Sequence, residues 1–341
     1  MLRIAFFCLI LIWSIGCACG QAHPAKGEPV RGCYFSAFVG PDGSIRTELF
    51  KGGGNLEDAL GRILNKRIAV QWLYFDYENP AELNAYLNSP NGYKNRDIVL
   101  EVALEPRQGI ETVKDDAVLH AHARAFAAMG RPVFLRFASE MNGNWTPYHK
   151  NPDLYREKFR LVHDVMKKVA PNVIMIWCVG SEPHNNWQDY YPGDAYVDWV
   201  GVNFYSVLHH NNDPKLPADK ESFEFHLDNI YKKFAARKPI AICEYAACRE
   251  EALHSGADRS DWAASKYREL LKKLPLKYPR IKMLGLFNVN TMKLKFGISA
   301  PKTNNYLFSD SPVLIKALRE SLSSNYYLST GPVNLKKSRP K

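Results

Sequence analysis

Two glutamates end apolar runs in this chain: Glu140 closes PVFLRFASE and Glu244 sits in PIAICEYA. A carboxyl group at the end of a greasy strand is poorly hydrated, so it holds its proton more tightly than a free acid unless a cation or donors lie beside it. Two such groups facing one gap can divide a substitution between them. One protonates the departing oxygen, and the other attacks carbon or activates water. A single strand-end glutamate more often caps a helix or pairs with an arginine, so the proposal depends on the pair.

Whether the two acids meet depends on the elements that carry them. Apolar runs at 30–38, 67–75, 97–104, 132–139, 172–179, 196–204, 238–245 and 281–289 read as eight strands. Amphipathic stretches at 115–130, 151–170, 222–236 and 260–274 read as helices between them; Gly130 stops the first and Asn151-Pro152 starts the second. Eight buried strands interleaved with helices predict an α/β fold of one domain, a (β/α)8 TIM barrel. An open doubly wound sheet would carry a Gly-rich phosphate loop after its first strand, and none is present. In a barrel, chemistry belongs at the C-terminal ends of the strands. Glu140 and Glu244 would end the fourth and seventh, across the mouth from each other. Alternation with period 2 puts Arg136, Ala138 and Glu140 on one face, and Ile240, Ile242 and Glu244 on another.

The stretch LRFASEMNGNWTPY (135–148) resembles the acid/base motif of glycoside hydrolase family 26, whose members include β-mannanases, mixed-linkage β-glucanases and β-1,3-xylanases. ALEPRQGI (103–110), YVDWVGVNFYS (196–206) and PIAICEYA resemble further segments of that family, and the likeness runs over about residues 30–320. It implies a retaining glycosidase with Glu140 as general acid/base and Glu244 as nucleophile, their carboxyl groups about 5–5.5 Å apart. It also implies that Tyr205 donates to the nucleophile and that Trp145 offers an indole face to a pyranose. Arg136 would supply positive charge in the barrel floor. Ser139, Asn142, Glu105 with Arg107 and Gln108, and Trp72 complete the expected sugar-binding set, and Tyr74, Phe75, Trp177, Trp187, Tyr190 and Tyr191 are further aromatic candidates. The chain departs from the mannanase pattern at Ser139, where His usually precedes the acid, and at Lys295 and Phe296, where Asp and Trp are usual.

The remaining sequence bounds the context. MLRIAFFCLILIWSIGCACG has the layout of a secretory signal over 1–20, with a lipoprotein-type anchor at Cys17 as the alternative; the catalytic domain is expected over 21–325 and a basic tail over 326–341. The formal charge of +10 is spread along helical segments and the tail, so a solvated surface is expected and nucleic acid is not a partner. Cys33, Cys178, Cys243 and Cys248 lack metal spacing and are either disulfide partners or buried thiols. His209 and His210 with Asp213 lack a further spaced ligand, so no metal or other cofactor is expected. The expected partner is a β-linked polysaccharide, mannan first, met by a secreted, periplasmic or envelope-anchored monomer. A mixed-linkage β-glucanase, a hydrolase trimming exopolysaccharide and a non-catalytic carbohydrate-binding barrel are the alternatives.

Overall fold

The computed structural model describes residues 24–40, 42–89, 98–293 and 303–332. Eight parallel strands follow one another round a closed sheet: β1 (Cys33–Val39), β2 (Val70–Asp76), β3 (Val99–Glu105), β4 (Val133–Phe137), β5 (Val173–Gly180), β6 (Trp199–Ser206), β7 (Ile240–Ala247) and β8 (Ile281–Asn288). β8 pairs back onto β1 over six residues, Tyr34↔Met283 to Val39↔Asn288, which closes the barrel. The fold is the (β/α)8 barrel that the strand pattern predicts.

Helices cover the outside: α1 (Gly43–Gly52), α2 (Leu56–Leu64), α3 (Pro80–Asn88), α4 (Ala117–Ala128), α5 (Pro152–Val169), α6 (Phe223–Phe234), α7 (Ser260–Lys277) and α8 (Pro312–Leu322). Their starts follow capping chemistry. The Asn151 side chain accepts from Leu154 N, and Pro152 occupies the first turn, where its missing N–H costs nothing. α5 then turns Tyr155, Phe159, Val162 and Met166 inward at helical spacing. No α-helix joins β5 to β6. Two 3₁₀ turns, Trp187–Tyr190 and Asp194–Tyr196, take its place, and Trp187 and Tyr191 pack against Trp177 and Phe234 to cover the sheet. These aromatics, candidates for a sugar groove in sequence, instead replace the absent helix.

Strand faces alternate between a large outer core under the helices and a smaller interior cluster that includes Phe134, Ile174, Ile176 and Trp199. The expected alternation fails at both acids. β4 stops at Phe137, because Ala138 and Glu140 take left-handed backbone conformations (φ 49° and 58°). Ala138 packs in the outer core and does not share the face of Arg136. In β7, pairing with β6 slips by one residue between Val202↔Ile242 and Asn203↔Glu244, a β-bulge at Cys243. Ile240 and Ile242 therefore face the helices while Glu244 turns into the barrel mouth. Without the bulge the period-2 reading would have sent Glu244 outward with Ile242.

Residues 1–20, Lys295 and Phe296 lie outside the described residues. The segment expected as a tail from 326 begins with a short strand, Tyr327–Leu328, parallel to Cys33–Tyr34, and the Tyr327 ring is buried. Cys33, Cys178, Cys243 and Cys248 are buried free thiols.

The bulge also depends on Gly285 of β8, where a Cβ would overlap the Cys243 carbonyl oxygen. Gly285→Ala is expected to lower stability by about 2 kcal/mol or more, since backbone rather than a flexible side chain must yield. Denaturant unfolding of both proteins measures it.

Candidate active site

At the mouth, Arg136 rises from β4 with no exposed surface. Its Nε lies 2.9 Å from Glu101 Oε1 on β3, and an Nη lies 2.8 Å from Glu244 Oε1 on β7. The rings of Trp72 and Tyr74 cover the guanidinium, 4.9 and 5.7 Å from their centroids. Glu244 collects two more donors: Tyr74 Oη at 2.6 Å on Oε1 and the Tyr205 hydroxyl on Oε2. Arg136, Tyr74 and Tyr205 all donate to this carboxylate, and the hydrogen bond from the guanidinium is charge-assisted.

One guanidinium between two buried carboxylates neutralises only one of them. Glu244 is the better supplied with donors. Glu101 has the ion pair, and burial pushes its carboxyl up to about 7 although Arg136 opposes the shift.

Glu140 reaches the same opening from the turn after β4. That turn is pinned between its neighbours: Ala138 N donates to Leu104 O on β3 (3.1 Å) and Glu140 N to Cys178 O on β5 (3.0 Å). The Glu140 carboxylate accepts from Asn203 Nδ2 (2.8 Å) and Trp145 Nε1 (2.6 Å). Burial, and then the nearby Glu244 charge, push Glu140 up to about 7, with these two hydrogen bonds pulling the other way. Asn203 links the pair, because its Oδ1 accepts from the Nη of Arg136 that also holds Glu244 (3.4 Å).

The other sequence candidates divide. Tyr205 touches Glu244 as expected. Trp145 is partly exposed and close to Glu140, but its indole N–H is committed to the acid and its ring lies across Gly143. Ser139 is buried beside Glu105, whose carboxyl contacts Tyr148 and is raised by burial. Arg107 of the same segment pairs with Asp76.

Trp72 and Asn142 are corrected as sugar contacts, and Arg136 keeps only its expected role as positive charge in the barrel floor. Trp72 has no exposed surface; it packs over Arg136 and against Phe38 and Phe287, so no face is open to a ring. Arg136 is equally enclosed and acts on Glu244. Asn142 bonds Gly180 through both ends of its amide, donating to O and accepting from N at 2.9 Å each, and so staples the Glu140 turn to β5.

Asn203 and Glu101 escaped the sequence reading. Asn203 was legible, since Trp199, Gly201, Asn203 and Tyr205 share one face of β6 by alternation. Glu101 lies inside VLEVAL, where a charge looks like a solvent-facing residue until the barrel closes. The paired histidines also separate: His209 meets Glu251 and His254, and His210 meets Glu221 and Glu182, while the Asp213 side chain accepts from the nearby Lys215 N.

A family model matches residues 67–220. It is glycosyl hydrolase family 26. The family 26 match includes Arg136, Glu140, Trp145, Asn203 and Tyr205 and ends before Glu244. The beta-1,3-xylanase TXYA of a Vibrio species is 24% identical over 204 residues, 58% of this chain and 44% of that protein. The mannan endo-1,4-beta-mannosidase of Bacillus subtilis (strain 168) is 30% identical over 193 residues, 50% and 52% of the two chains. These matches span about half the length of those relatives. The GH26 beta-mannanase structure from Bacteroides ovatus shares the fold, with a TM-score of 0.57 over 88% of this chain and 90% of that one at 13% identity.

The environment of Glu140 has a measurable cost. Its native carboxyl holds a proton up to about 7, against an ordinary value of 4.5. Between those values the folded chain binds more protons than the unfolded one, so stability falls as pH rises. Glu140→Gln removes that dependence. From pH 5 to 8 the wild type should lose about 1–3 kcal/mol relative to the variant, as read by denaturant unfolding at each pH.

Proposed function

We propose that this protein is an exported, retaining endo-β-glycanase in which Glu140 is the acid/base and Glu244 the nucleophile. The observation that carries the reading is the contrast between the two carboxyl groups at one barrel mouth. Glu244 is clasped by Arg136, Tyr74 and Tyr205, and Glu140 is pushed up to about 7. A proton donor and an ionised nucleophile are the two states that the first step of double displacement needs.

In that step Glu244 forms a bond to the anomeric carbon as the glycosidic bond breaks, and Glu140 gives its proton to the leaving oxygen. Glu140, now ionised, takes a proton from water, which attacks the same carbon and releases Glu244. Tyr74, Tyr205 and Arg136 orient Glu244 throughout. Asn203 and Trp145 favour the ionised form of Glu140, which exists between the two steps.

Mannan is the first substrate to test, in keeping with the acid/base motif and the Bacillus relative. Ser139 supports a second reading, a β-glucanase or β-xylanase, because the shorter side chain replaces the histidine usual before the acid in mannanases. The residues of 1–20 support export, with attachment to the envelope through Cys17 as its variant.

Release of reducing ends from mannan, mixed-linkage glucan, β-1,3-xylan and bacterial exopolysaccharides tests the activity. Glu140→Ala and Glu244→Ala should each lower kcat by roughly 10³-fold or more while polymer binding persists, because the lost interactions belong to the transition state. Undiminished turnover in either variant would overturn the assignment, and binding without turnover by the wild type would make the protein a carbohydrate-binding barrel. The wild-type rate should fall as pH rises past about 7, where Glu140 loses its proton. Asn203→Ala removes a hydrogen bond that favours the ionised form, so its alkaline limb should move to higher pH.

A further inference from the structure

Glu251, just after β7, is 1% exposed, and its carboxylate is unevenly served. Oε1 faces two imidazoles, His209 Nδ1 at 2.8 Å and His254 Nδ1 at 2.7 Å. Oε2 is buried without a hydrogen-bond partner among the described residues. A buried acceptor left unserved is costly, and a carboxylate oxygen especially so.

The three side chains converge from separate loops, His209 after β6 and Glu251 and His254 after β7, with their candidate ligand atoms all within 4.8 Å of one another. Two imidazoles and a carboxylate make a His₂Glu donor set, which suits zinc with a fourth position left to water. Zinc bonds of about 2.0–2.1 Å at tetrahedral angles separate ligand atoms by roughly 3.4 Å. Each imidazole must therefore withdraw by about 0.6 Å. His254, whose side chain is 57% exposed, has room to do so. The backbone that carries the carboxylate is fixed, because Glu251 pairs with Asn304 in a short antiparallel ladder.

We propose that His209, Glu251 and His254 bind one divalent transition-metal ion, zinc by its ligand chemistry, as a clasp between the loops after β6 and β7. Those strands deliver Tyr205 and Glu244, so the clasp braces the mouth from outside the reacting groups. The site is independent of glycoside hydrolysis. The neighbouring cluster of Glu182, His210 and Glu221 differs, since none of these three has a buried atom without a partner. It serves as the internal control.

The test uses the untagged full chain, stripped with EDTA, dialysed and titrated with zinc chloride in a calorimeter. One ion per chain with micromolar or tighter affinity is expected. His254→Ala and Glu251→Gln should each weaken it by roughly a hundredfold or more, and His210→Ala should leave it unchanged. The thermal midpoint of the wild type should rise with zinc concentration, and that of His254→Ala should not. His254 is largely exposed, so its variant should keep the fold, which circular dichroism checks. Equal zinc affinity in wild type and His254→Ala overturns the proposal, as does a loss confined to His210→Ala.

Discussion

The mouth of this barrel is organised by one buried cation. Arg136 has no solvent, so its charge must be balanced inside the protein, and the carboxylates of Glu101 and Glu244 are the groups within reach. Removing one partner of such an assembly leaves an uncompensated charge and typically costs about 3–5 kcal/mol. That penalty ties β3, β4 and β7 together at the level of the site. Trp72 and Tyr74 add aromatic faces that exclude water and strengthen the electrostatics they enclose.

The two acids reach the opening by different backbone devices. Glu244 is turned inward by a bulge at Cys243, which depends on the bare backbone of Gly285 beside it. Glu140 is lifted off the end of β4 by left-handed residues at 138 and 140, each costing of order 1 kcal/mol, with hydrogen bonds from the turn to β3 and β5 holding it there. In both strands regular alternation is broken where the carboxylate must be aimed. The same local irregularity explains why a residue with an otherwise apolar neighbourhood ends in a polar cluster.

Asn203 makes the acids one unit. Its amide donates to Glu140 and accepts from the guanidinium that holds Glu244, so a single side chain fixes the position of one carboxyl relative to the other. The contrast between the acids follows from what surrounds them. One has a cation and two hydroxyls, and the other has two neutral N–H donors and a negative neighbour. Identical side chains thereby meet different surroundings within the same pocket, and those of Glu140 raise its proton affinity.

The sequence alone determined the barrel, because eight apolar runs separated by amphipathic stretches have few other ways to bury both faces of a parallel sheet. It also marked Glu140, Glu244 and Tyr205, through strand ends and the EMNGNW motif. It did not reveal the bulge or the left-handed turn, since period-2 reasoning assumes an unbroken strand and register is decided by the neighbouring strand. Trp72 and Asn142 looked like sugar contacts because their residue types suit that task; closure of the barrel buried the first under Arg136 and bound the second to Gly180. The joining of His209 to Glu251 and His254 was likewise a tertiary outcome. Contacts between distant loops depend on where the strands place their ends, and no local pattern of residues encodes that distance.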